Sequence, residues 1–226
     1  MTDRVAILHD TGLFDGLDVP ALHALARACT LQRLDRGQTL FDAGDPADGL
    51  RVVLDGLIRV WIGTPAGREV TVALAEPGDL LGEIALLDGA PRSAGATAME
   101  PATILFLPRV AFRAAFDAFP DLRTHLIGVV CARLRALTGR FGAATLLTLR
   151  ARVAGLLHDL AQSHATAHGP GARFRRRFGQ AELAAMLGVT REATNKQLAA
   201  LTADGLVAMD GGVLWIPDLA ALADAS

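Results

Sequence analysis

The sequence predicts an α+β chain in three parts: an amino-terminal β-sandwich or barrel, one long helix, and a carboxy-terminal winged helix–turn–helix. Three observations carry this. Between Leu31 and Leu107, short β-type runs alternate with turn signals every ~8–12 residues, the texture of a sandwich or barrel and not of strand–helix–strand units. Between Asp121 and Leu146, the residues Leu126, Val130, Leu134, Leu137 and Phe141 draw one apolar stripe at helical spacing. From Gln180 to Leu201, the run QAELAAMLGVTREATNKQLAAL reads as two helices joined at a glycine.

Composition bounds the class. The chain has 226 residues, 51% hydrophobic and 20% charged, which is a globular balance with enough length for a sizeable core. Its 22 basic and 24 acidic side chains nearly cancel, so any polyanion must be bound by a local arrangement and not by bulk charge. Cys29 and Cys131 are the only cysteines, which excludes a disulfide framework and a four-cysteine metal site. The opening MTDRVAILHD lacks a signal-peptide core, and no apolar run approaches the ~20 residues of a membrane span. A cytoplasmic protein with reduced thiols is expected, without membrane or metal. Lys196 is the only lysine.

Taken in order, Asp18 to Cys29 reads as a short amphipathic helix. Strand runs follow at Leu50–Leu54, Leu57–Ile62, Glu69–Leu74 and Thr103–Leu107, separated by turns such as Asp55-Gly56 and Pro77-Gly78-Asp79. A helix over Arg109 to Phe119 is broken at Pro120. The long segment from Asp121 to Leu146 would span ~39 Å, more than a small barrel can cover, so its stripe is expected to pair with a second copy. Residues 1–120, 121–146 and 147–226 are the expected divisions. In the last, Thr148 to Gln162 is helical and His164 to Arg177 is a polar connection ending in Arg173, Arg175, Arg176 and Arg177. Two short helices follow, then a hairpin at Asp210-Gly211-Gly212 and a terminal helix over Asp218 to Ala223.

Two motifs carry chemistry. In the carboxy-terminal one, Leu183, Ala184 and Leu187 form an apolar face, Gly188 supplies the left-handed turn, and Thr190 caps the second helix. Helical spacing puts Arg191, Glu192, Asn195 and Lys196 outward at the start of that helix. Arginine can bond guanine bidentately and glutamate can accept from the cytosine amino group, so these residues suit a recognition helix. The arginines from Arg173 to Arg177 are placed to meet phosphates.

In the amino-terminal motif, DLLGEIALLDGAPRSAGATA, a strand ends at Leu81, Gly82 frees the backbone, and Glu83 to Leu87 forms one or two helical turns. Arg92 and Ser93 return to the same place, adding a guanidinium and a hydroxyl. Glu83 suits a sugar hydroxyl. The set describes a pocket for a singly charged sugar phosphate.

The run GEIALLDGAPRSA resembles the phosphate-binding cassette of cyclic-nucleotide-binding domains. Together with TREATNKQL, it makes nearly the whole chain similar to the CRP/FNR superfamily of bacterial transcription regulators, in the cyclic AMP receptor branch. The resemblance implies a cyclic-nucleotide-binding β-roll, a dimerisation helix and a winged helix–turn–helix. It implies a homodimer switched by cyclic AMP or cyclic GMP, acting on double-stranded palindromic DNA with TGTGA-like half-sites and contacting RNA polymerase. The implied ligand set is Gly82, Glu83, Ile84, Ala85, Arg92 and Ser93, with Leu137 and Thr138 meeting the base. The implied DNA set is Thr190, Arg191, Glu192, Asn195 and Lys196. Two positions depart from the family: Leu137 replaces one of a polar pair, and Lys196 stands where arginine is usual and lacks its fork.

Other inputs are weighed on the same residues. Iron–sulfur sensing lacks an amino-terminal cysteine cluster, whereas His9, His23 and His125 leave haem open, and constitutive activity needs no ligand. An enzyme of the phosphodiesterase type would use Glu83 as a base but lacks metal ligands at suitable spacing. No catalytic residue is assigned.

Overall fold

The computed structural model describes residues 4–10, 14, 19–64, 67 and 69–226. The chain divides into two compact units, 1–135 and 136–226.

The first unit begins with helices α1 (Arg4–Asp10) and α2 (Val19–Ala28). Eight strands follow: β1 (Thr30–Leu34), β2 (Thr39–Phe41), β3 (Gly49–Asp55), β4 (Ile58–Gly63), β5 (Glu69–Ala75), β6 (Leu80–Leu81), β7 (Gly95–Ala98) and β8 (Ala102–Pro108), with helix α3 (Glu83–Asp88) between β6 and β7. They form two antiparallel four-stranded sheets, ordered β1-β8-β3-β6 and β2-β7-β4-β5.

Side-chain alternation splits each central strand between two cores. Val53 and Ile104 meet Leu34, Ile58, Leu81 and Ala96 between the sheets. Their neighbours Val52 and Leu105 face the other way, against a helical layer holding Leu25, Cys29, Phe112, Leu122 and Leu126. This double burial is why Gly49–Val53 is buried throughout and its sequence is nearly continuous in apolar residues.

Helix α4 (Arg109–Ala118) ends at extended Phe119, because the residue before a proline avoids helical geometry. Pro120 then opens α5 (Pro120–Leu146), where its fixed φ suits a first turn. The division between the units falls inside α5.

The expected α5 stripe needs one correction. Leu126 does not face a partner: it is 0% exposed, one turn after Leu122, and both belong to the core of the first unit. Ile127 is outward in its place, followed by half-buried Val130 and by exposed Leu134, Leu137 and Phe141.

The second unit runs through α6 (Leu149–His164), β9 (Ala165–His168), β10 (Gly171–Phe174), α7 (Gln180–Leu187), α8 (Arg191–Ala203), β11 (Ala208–Asp210), β12 (Val213–Ile216) and α9 (Leu219–Asp224). Its sheet is antiparallel, ordered β11-β12-β10-β9. The polar connection expected over His164 to Arg177 therefore contains a hairpin. Edge strand β9 is mostly exposed and reads as polar, which hid it. Gly171 is there because a Cβ would sit 2.0 Å from the carbonyl oxygen of Ile216. Asp218 caps α9, accepting from the amides of Ala220 and Ala221 at 2.9 and 3.2 Å.

Candidate functional site

The amino-terminal motif folds as its residues require. Strand β6 pairs with β3, Gly82 follows at φ 84°, and α3 starts at Glu83. A Cβ at Gly82 would lie 1.8 Å from Nη1 of Arg92, so only glycine both adopts this φ and admits the arginine. Gly82→Ala is expected to displace Arg92 and lower the melting temperature, read by a thermal scan against wild type.

Arg92 comes from the far side of the motif and is only 3% exposed. Its backbone is tied to the β2–β3 loop: its amide donates to Asp45 O, and its carbonyl accepts from Gly44 N, both at 2.8 Å. Nη1 donates to Gly82 O at 2.7 Å, while Nη2 donates to Asp48 Oδ1 at 2.7 Å and Gly49 O at 2.8 Å. The guanidinium lies 4.6 Å from the centroid of the Phe41 ring. Nε is buried and has no hydrogen-bond partner among the described residues.

Glu83 is wholly buried. Its Oε1 accepts from Arg133 of α5, which also donates to Leu80 O. Its Oε2 is buried with no partner among the described residues. Burial of an unpaired polar atom is costly, and a native structure keeps such atoms rarely. Here an orphan donor on Arg92 and an orphan acceptor on Glu83 occur in one motif.

Asp48 completes the cluster. Arg51 donates to both of its oxygens, Nη1 to Oδ1 at 2.8 Å and Nη2 to Oδ2 at 2.7 Å. Partial burial opposes ionisation of Asp48, but the bonds and charges of Arg51 and Arg92 outweigh it and hold the carboxyl at about 2. Burial pulls Arg92 below the ordinary arginine value, against the bond to Asp48. Three guanidiniums, of Arg51, Arg92 and Arg133, thus face two carboxylates and leave one positive charge in excess.

Of the other residues expected here, Ser93 and Ile84 are exposed and Ala85 is buried in the core. Leu137 and Thr138 lie in the second unit, both exposed. Sequence reasoning missed Asp48 and Arg51. One signal was available: Arg51 is a lone charge in the apolar run Leu50 to Leu54, and a buried charge demands a partner. His23 and His125 are exposed, and the side chain of His9 lies outside the described residues. Among the described residues, no group of three or more His, Cys, Asp or Glu side chains is placed to hold a metal.

The carboxy-terminal motif is a helix–turn–helix. Gly188 ends α7 at φ 68°, and Thr190 Oγ1 accepts from Ala193 N at 3.2 Å to start α8. Leu183, Ala184, Leu187 and Leu201 are buried. Thr194 is also wholly buried, its hydroxyl donating to Thr190 O at 3.1 Å, a core position that apolar patterning passes over. Thr190, Arg191, Glu192 and Lys196 are exposed. Arg191 leans on Gln180, with Nη2 3.3 Å from its Oε1.

Asn195, one turn after exposed Arg191, is half-buried with Oδ1 enclosed, so it is less open than Arg191, Glu192 and Lys196. The arginine run also has partners within the unit: Arg173 pairs with Asp210 at 2.8 Å, Arg175 donates to Ser163 O, and Arg176 stacks over Phe178 at 4.2 Å beside Glu182. Arg176 is half-buried, whereas Arg173, Arg175 and Arg177 are exposed.

Residues 31–119 match the cyclic nucleotide-binding domain family, and residues 151–225 match the Crp-like helix-turn-helix domain. The chain is 33% identical over 211 residues to a cyclic AMP receptor protein of Thermus thermophilus, covering 93% of this chain and 94% of that protein. It is 30% identical over 217 residues to a CRP-like cAMP-activated global transcriptional regulator of Mycobacterium tuberculosis, covering 96% and 97%. A solved CRP/FNR-family transcriptional regulator from Thermus thermophilus matches with a TM-score of 0.73 at 25% identity, over 87% of this chain and 97% of that one.

Proposed function

The chain belongs to the CRP/FNR family of transcription regulators, and from that premise we propose that it is a homodimer whose DNA binding is switched by a cyclic nucleotide, cyclic AMP first and cyclic GMP second. It is a DNA-binding regulator carrying a cyclic nucleotide-binding domain, and the relatives it matches over nearly their whole length are transcription regulators. The observation that carries the effector reading is the pair of orphaned buried atoms, Arg92 Nε and Glu83 Oε2. A cyclic nucleotide offers what each lacks: a phosphate oxygen for the donor and a ribose hydroxyl for the acceptor. Its single negative charge also matches the excess positive charge of the cluster.

In this reading Arg92 holds the phosphate, Glu83 orients the ribose, and Gly82 leaves room for both. Ser93, on the exposed side of Arg92, adds a hydroxyl, and Ile84 lines the opening with apolar surface. By the family resemblance alone, Leu137 and Thr138 are the positions that would meet a base. Arg133 holds Glu83 through Oε1, which leaves Oε2 for the ligand and ties α5 to the effector site. Ligand and DNA affinities are then coupled reciprocally. Calorimetric titration of the purified protein with cyclic AMP and cyclic GMP tests the effector; saturable binding of one supports it. A second reading keeps the DNA function and changes the ligand, favoured by the apolar Leu137 where the base would be read. It predicts no heat with either nucleotide.

The partner for α5 is a second copy of this chain. Ile127, Val130, Leu134, Leu137 and Phe141 are separated by three, four, three and four residues, the alternation of a two-stranded coiled coil. The twofold axis would place two α8 helices on half-sites ~34 Å apart in a palindromic operator. Arg191 reads a guanine, Glu192 accepts from a cytosine, and Lys196 adds a looser contact, giving TGTGA-like half-sites. RNA polymerase is the partner expected beside the operator, and the cytoplasm the compartment.

Each good base contact discriminates by ~1–3 kcal/mol, while phosphate contacts are indifferent to sequence. Glu192→Ala is therefore expected to relax one base pair of the selected motif without abolishing binding. In-vitro selection with both proteins checks this; identical motifs of equal stringency would remove Glu192 from base reading.

A further inference from the structure

We propose that Asp48 is an internal rival to the effector's phosphate for Arg92, and that Arg51 sets the strength of the rivalry. This rests on the cyclic-nucleotide reading above.

Arg92 has a counter-ion before any ligand arrives, because Nη2 donates to Asp48 Oδ1 at 2.7 Å. The guanidinium is almost wholly buried, so this charge pair is screened little on the arginine side. Asp48 does not hold Arg92 by the strong two-bond geometry that carboxylates prefer with arginine. Arg51 takes that place. It is itself only 5% exposed, it occupies both oxygens of Asp48, and it leaves Arg92 a share of one oxygen. The two guanidiniums meet again at Phe41, 5.2 and 4.6 Å from its ring centroid. Arg51 cannot turn away easily, because its other side lies over Phe106 at 4.8 Å.

The arrangement has a consequence of definite sign. An anion reaching Arg92 repels Asp48 and competes for its donor, so the carboxylate lowers effector affinity. Arg51 offsets that charge and prevents a two-bond Asp48–Arg92 pair, so it raises affinity without touching the ligand. Arg51 is thus a positioning residue. A purely structural Asp48–Arg51 pair would predict falling stability in both variants and no opposed change in affinity.

The test is calorimetric titration of wild type, Asp48→Asn and Arg51→Met with cyclic AMP and cyclic GMP, with circular dichroism melts to confirm folding. Asparagine keeps the shape of Asp48 and removes its charge; methionine keeps apolar contact with the rings. Removing one unit charge at this range, discounted for the exposure of Asp48, is expected to tighten nucleotide binding about tenfold in Asp48→Asn. Arg51→Met is expected to weaken it by a similar factor. Unchanged or weaker binding by folded Asp48→Asn overturns the proposal, and so does unchanged or tighter binding by Arg51→Met, which decides alone should Asp48→Asn not fold. If wild type binds neither nucleotide, the effector reading itself fails. The rivalry is then read from hydrogen exchange at Arg92 Nε by NMR: slower exchange in Arg51→Met upholds it, and an unchanged rate overturns it.

Discussion

Replacing Arg92 with alanine is expected to weaken cyclic-nucleotide binding by well over tenfold. Removing one member of a buried charge-assisted contact costs ~2–5 kcal/mol, and each ~1.4 kcal/mol is tenfold in affinity. The same change has a second effect inside the protein. It leaves the carbonyls of Gly49 and Gly82 without their arginine donor, and Asp48 with Arg51 alone. Each buried acceptor left unpaired costs ~1–3 kcal/mol, so the melting temperature should fall as well. Arg92→Lys separates the two effects. It keeps a cation for the phosphate but cannot span Gly82, Gly49 and Asp48 together, so it should recover part of the affinity and little of the stability. Titration and thermal melts on both variants provide the readout. Wild-type affinity in a folded Arg92→Ala protein would remove Arg92 from the effector site.

Leu134→Glu is expected to turn a dimer into a folded monomer, whereas Leu126→Glu is expected to unfold the first unit. The two residues lie eight apart on one helix, yet their environments are opposite. Leu134 is 63% exposed in the single chain, so a charge there costs the protomer nothing, and it becomes costly only when a second α5 covers it. A dimer would bury two such charges face to face, each unpaired; breaking a buried pair in this way typically costs ~3–5 kcal/mol. Leu126 is buried among Leu122, Phe112 and Leu105 before any association, and a carboxylate there opposes folding itself. Light scattering reports the mass of each variant and circular dichroism its fold. An undisturbed dimer of Leu134→Glu would mean that the interface lies elsewhere.

The contrast between these two leucines separates what was legible in the sequence from what was not. The helices from α2 onward, four of the longer strands and the last hairpin could be read because their signals are local: β-type runs between turns, a proline at 120, a glycine at 188 and a capping threonine at 190. The cassette was also legible, since Gly82, Glu83 and Arg92 are near in sequence and the turn at Gly82 needs a positive φ that glycine adopts without strain. The phase of a long helix is another matter. Successive residues turn by ~100°, so a stripe through Leu126 and one through Ile127 fit nearly the same pattern. Only the packing of α5 on α4 and the first sheet chose between them. The same rotation buries Thr194 and leaves its neighbour Asn195 half-covered.

Charge partners across the chain were the other hidden layer. Arg92 meets Asp48 across 44 positions, and Arg133 meets Glu83 across 50. No local rule links such residues, because an ion pair of this kind is fixed by which strands and helices become neighbours. The arginines Arg173, Arg175 and Arg176 read only as a basic run in sequence; the hairpin of β9 and β10 gives each a carbonyl, a carboxylate or a ring as partner. Sequence by itself determined the order of the elements, the nucleotide cassette and the recognition helix, because each is written in spacing, caps and turns. Tertiary structure alone decided which leucines of α5 are buried and which stay outward, and that Arg92 already has a counter-ion in Asp48, because burial and counter-ions exist only once distant segments touch.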